Sequence, residues 1–114
     1  MSAQSRRYEA ALRSLGTTAD EVAASLEKLG VLGQRQHGEH CPLARYLTEC
    51  FGKKAFVGHD DVAIPRHDKP QLASEVLDRL PVGSYHFVRQ FDGGAYPMLD
   101  EDWGREDLPD PNDV

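Results

Sequence analysis

The sequence predicts a small helix-rich α+β fold in a single domain: three helices, a β-hairpin, one or two further helices, and an acidic C-terminal tail. Three observations lead there. Apolar residues recur at helical spacing three times before residue 52, and each stripe runs into a glycine. Around residues 55–64 the pattern changes to short β-rich runs flanking a polar turn. At 114 residues the chain can bury one core and is too short for two comfortable ones. The expected division is a globular domain over 1–104 and a flexible acidic tail over 105–114.

The first helix is expected over 5–15, where Tyr8, Ala11, Leu12 and Leu15 share a face and Gly16 follows as the stop. The second, 18–29, opens on Thr18-Ala-Asp-Glu21. A threonine and a glutamate three residues apart can each satisfy the other's free amide in the first turn. Val22, Leu26 and Leu29 form its apolar face, and Gly30 closes it. Residues 31–41 have no period and read as a loop.

Pro42 then suits a first helical position, where its missing N–H costs nothing. Leu43, Tyr46, Leu47, Cys50 and Phe51 make the stripe of a third helix over 42–51, closed by Gly52. Phe56-Val57 and Val62-Ala63-Ile64 flank the turn "GHDD" as a hairpin. Asp68-Lys-Pro-Gln71 is a further cap pattern, and Leu72, Val76, Leu77 and Leu80 predict a helix over 70–80 ended by Pro81. Residues 84–92 fit either a helix capped by Ser84 or a strand, with the helix favoured. An extended segment then leads into the tail. The expected core is Leu12, Leu15, Val22, Leu26, Leu43, Leu47, Phe51, Val76 and Leu80.

Charge is distributed unevenly. Residues 1–99 carry twelve acids and twelve bases, whereas residues 100–114 carry seven acids against Arg105 alone. A balanced domain has no general basic field for nucleic acid. Neither a long apolar run nor a cleavable apolar leader is visible, so no membrane association is expected and the compartment expected is the cytoplasm.

The loop "QRQHGEHCPLARYLTEC", residues 34–50, concentrates the reactive side chains. With 42–51 helical, Cys41 and Cys50 are nine steps apart at about 1.5 Å each, roughly 13 Å. A disulfide needs α-carbons within about 7 Å. The two therefore stay free, and Cys50 belongs to the core stripe. A metal site would draw on His37, His40 and Cys41, with His59 or His67 as a fourth ligand, yet no second ligand pair accompanies them. Cys41 could be a nucleophile activated by the helix terminus, but no oxyanion hole or orienting residue can be assigned. The string His37-Gly-Glu39 matches half of the zinc deaminase signature and fails at Cys41-Pro42, which reverses its P-C order. No phosphate-binding glycine loop or nucleophile elbow occurs. Neither catalysis, metal nor cofactor is expected.

The string "TADEVAASLEKLGV", and the order helix, helix, helix, hairpin over about residues 6–65, resemble winged helix-turn-helix domains. That resemblance implies a third helix in the DNA major groove presenting Arg45, Thr48 and Glu49, with Lys53 and Lys54 at phosphates. The leading expectation is different: a non-catalytic interaction or regulatory domain that binds a protein. It rests on "YPMLDEDWGREDLPD", where Tyr96, Met98 and Trp103 stand among acids, as in segments that dock on a basic partner.

Overall fold

A computed structural model describes residues 3–65 and 73–101 of the chain. Its elements are α1 (Ala3–Arg13), α2 (Ala19–Leu29), α3 (Pro42–Phe51), β1 (Phe56–Val57), β2 (Val62–Pro65), β3 (Ala73–Leu77), α4 (Val82–Asp92) and a single 3-10 turn, Pro97–Leu99. The three strands form one antiparallel sheet in the order β1-β2-β3. The helix-rich α+β class is as the sequence predicts.

The caps explain why α2 and α3 begin and end where they do. Thr18 accepts from the Glu21 amide, while the Glu21 carboxylate takes the N–H and hydroxyl of Thr17. The capping box is thus displaced by one residue. Those hydrogen bonds, chiefly from Thr17, hold the Glu21 carboxyl below its ordinary range. Pro42 opens α3 with Cys41 as N-cap, its sulfur accepting from the Ala44 amide at 3.3 Å. Gly30 and Gly52 end the two helices in the left-handed region.

α1 packs on β3 and α3, and α4 packs mainly on α2. Between them Tyr8, Leu12, Val22, Leu26, Leu43, Leu47, Val62, Phe87, Phe91 and Leu99 are buried. Each such side chain contributes about 1.5–3 kcal/mol of transfer free energy. Of the expected core all are buried except Phe51, which is half-buried and stacked on Tyr8 at 4.2 Å.

Several expectations are corrected. The helix over 70–80 is a strand: residues 73–77 pair with β2, and its expected cap, Asp68 to Gln71, lies outside the described residues. Val76 and Leu77 suit a helical face, but β2 has a second edge that must be paired, and a two-residue β1 gives a hairpin little stability alone. The Leu80 amide then donates to the Asp60 carbonyl at 2.8 Å, tying the segment's end to the hairpin turn. Pro81 starts a helix rather than only stopping one: α4 begins at Val82, and Ser84 lies inside it, buried, instead of capping it. α1 ends at Arg13, two residues early. Cys50 is exposed, because the last turn of α3 reaches the core through Phe51. Leu29 is exposed as well, on the last turn of α2.

Candidate functional site

The loop at 31–41 and the segment at 95–101 are built against each other. The Gly33 amide donates to the Leu99 carbonyl at 2.8 Å, and the Glu101 amide donates to the Gly33 carbonyl at 2.9 Å. This makes a one-residue parallel bridge between Gly33 and Asp100. Glycine is required at 33, since a β-carbon there would stand 2.4 Å from the Pro42 nitrogen. The segment 95–101 is therefore a strap laid over the start of α3.

Its side chains are divided between the core and the charges beneath. Leu99 is fully buried, and Tyr96 stacks on Phe87 with centroids 5.5 Å apart. The Tyr96 hydroxyl donates to Asp20 at 2.7 Å. Burial, with Asp20 beside it, pushes this phenol up to about 12. Asp100, with its carboxylate 3% exposed, meets the Arg35 Nε at 2.8 Å. Arg45 grips Glu101 with both nitrogens, at 2.8 and 3.0 Å, and also donates to the Leu32 carbonyl. Such two-point pairs are the directional kind of ion pair.

The outer side of this junction carries exposed apolar groups. Leu29 at the end of α2, Leu32 beside the bridged Gly33, and Met98 on the 3-10 turn that packs on α2 are 58%, 43% and 46% exposed. Of the residues expected to meet a partner, Met98 is here and available. Tyr96 is held by its own domain, and Trp103 lies outside the described residues. Sequence reading missed Leu29 and Leu32. Their signal was a leucine on each side of the Gly30 cap.

The reactive loop lines a separate cavity of about 550 Å³ between residues 36–41, β1 and α4. Gln36 anchors it by donating its amide to Asp92 at 2.8 Å, and His37, Phe56 and His59 stand on its exposed rim. His37 and His40 lie with ring centroids 4.4 Å apart. Cys41 is not joined to them as a ligand set: its sulfur caps α3, and burial pushes the thiol up to about 11. A thiol so raised is protonated at neutral pH, the wrong state for a nucleophile. Among the described residues no group of three His, Cys, Asp or Glu is arranged to hold a metal, and His67 lies outside them.

The residues of α3 expected at a DNA groove make contacts within the chain. Arg45 is tied to Glu101, while the Thr48 hydroxyl donates to the Ala44 carbonyl and accepts from the Ala55 amide. Lys54 pairs with Glu39 at 3.2 Å, and Lys53 has no ion-pair partner among the described residues. No helix among the described residues is long and apolar enough to cross a membrane. The chain matches no family model, no curated protein and no solved structure.

Proposed function

We propose that the chain is a non-catalytic interaction domain whose partner is a protein presenting basic side chains next to an apolar strip. The observation that carries this is the exposure of Leu29, Leu32 and Met98, at the end of α2 and on the two segments bridged at Gly33 and Asp100, the second of which runs directly into the acid-rich stretch. Asp100 and Glu101 are already neutralised by Arg35 and Arg45. The remaining acids, Asp102, Glu106, Asp107, Asp110 and Asp113, stand against Arg105 alone in sequence and would supply the charge that a basic partner meets. Met98 and Trp103 supply the apolar contacts, and Tyr96 serves the strap beneath them. Internal engagement of Arg45 and Thr48 favours this reading over duplex binding through α3. Two free cysteines suit a reducing compartment such as the cytoplasm.

The test uses a synthetic amphipathic peptide with leucines on one face and lysines and arginines on the other. Saturable binding that weakens with salt is expected, and the double variant Leu32→Ser, Met98→Ser should lose at least about tenfold in affinity, since it removes two contact groups. Both side chains are exposed, so the fold survives the change. Equal binding of an acidic peptide, or no loss in the double variant, contradicts the proposal.

A further inference from the structure

A second site lies at the opposite end of the chain, where α1 meets the end of α3, and it is independent of the strap surface. Gln4, Arg7, Tyr8, Phe51 and Lys53 line a pocket of about 80 Å³. We propose that this pocket binds a small oxyanion of phosphate size.

The lining is rich in donors. It includes an arginine, a lysine, a glutamine and a tyrosine, and no Asp or Glu among the described residues. Neither Arg7 nor Lys53 has a carboxylate partner among the described residues, in contrast to Arg13, Arg35, Arg45 and Lys54. The first turn of α1 contains no acid either, so the positive pole of that helix is not offset from within. Two cations and the positive pole of a helix thus meet around one small space.

Two further observations point to a ligand rather than to a merely basic corner. The Tyr8 hydroxyl is buried with no hydrogen-bond partner, on a residue 2% exposed. A buried hydroxyl in that state carries an uncompensated loss of solvation, which an oxygen acceptor would relieve. Burial raises the Tyr8 phenol and the Arg7 charge lowers it, so the guanidinium acts on this same hydroxyl. Arg7 is also positioned in advance. Its guanidinium carbon sits 5.4 Å over the Phe51 ring, which in turn stacks on Tyr8. Size decides the ligand class. A water's share of liquid volume is about 30 Å³, so the pocket has room for roughly two to three. Phosphate, sulfate or a carboxylate head is of that size.

Inorganic phosphate, titrated at constant ionic strength against chloride, is the probe, read by amide chemical shifts of the full chain. Saturable shifts confined to residues 4–8 and 51–53 are expected. Arg7→Gln and Lys53→Gln should each weaken binding about tenfold, the loss of one charge-assisted contact. Tyr8→Phe should weaken it about threefold while leaving the unliganded protein at least as stable as wild type, because it deletes an unpaired hydroxyl. Shifts that do not saturate, or that persist unchanged in Arg7→Gln, overturn the proposal. So does a short DNA duplex that perturbs the same residues when inorganic phosphate does not, which would assign the cations to backbone phosphates instead.

Discussion

Arg35 and Arg45 each lie 2.8 Å from a carboxylate of the strap, whereas Arg7 and Lys53 border a pocket whose lining has no carboxylate among the described residues. The four cations differ in what the chain demands of them. Asp100 is buried where the strap crosses the loop, and a buried carboxylate must be paired or protonated. Arg35 meets that demand, and Arg45 holds the next residue in register. At the α1 end no carboxylate among the described residues is buried, so none of them requires the charges of Arg7 and Lys53. Cations fixed by internal need are structural; cations without one are open to a ligand.

Substitutions can break this contrast, and the largest effect falls on the strap. Leu99→Ala should lower stability by about 2–5 kcal/mol in chemical denaturation, since Leu99 is fully buried. Arg35→Ala comes next, at about 3 kcal/mol, because it takes the Arg35 partner from buried Asp100. Arg45→Ala should cost about 1 kcal/mol and less in high salt, as both members of its pair are partly exposed. Arg7→Gln, by contrast, should stay within about 0.5 kcal/mol. A loss at Arg7 as large as that at Arg35 would erase the distinction.

Titration sharpens the same comparison. Tyr96 has a folded pKa of about 12 against 10.0 for an ordinary tyrosine. The fold holds this proton more tightly than the unfolded chain does. Stability from it is therefore complete below pH 10 and is lost as pH rises towards 12. Tyr96→Phe should flatten that part of the pH–stability curve. Between the two thiols, exposed Cys50 should react with iodoacetamide at pH 8 while Cys41, buried and raised, stays unmodified until the chain unfolds.

The helices were legible because their determinants are local. Thr18, Pro42, Gly30 and Gly52 mark boundaries through their own backbone chemistry, and the stripes on α2 and α3 need only a period. β3 was not legible, since Val76, Leu77 and Leu80 satisfy a helical period equally well and only the unpaired edge of β2 selects the strand. Met98 could be singled out by its acidic surroundings. Tyr96 was read for a partner because Phe87 and Asp20, which hold it, are distant in sequence. Arg7 gave no signal: its meeting with Lys53 and the unpaired Tyr8 hydroxyl is a tertiary event.

The division between strap and recognition segment is tested most directly by shortening the chain at two points and measuring both melting temperature and binding of the basic amphipathic peptide. Ending after Met98 removes Leu99, Asp100 and Glu101 and should lower the melting temperature by about 10 °C or more. Ending after Glu101 should leave the melting temperature unchanged and abolish peptide binding. An equal fall in melting temperature for both chains, with binding retained in the longer one, would contradict the proposed role of the acid-rich segment.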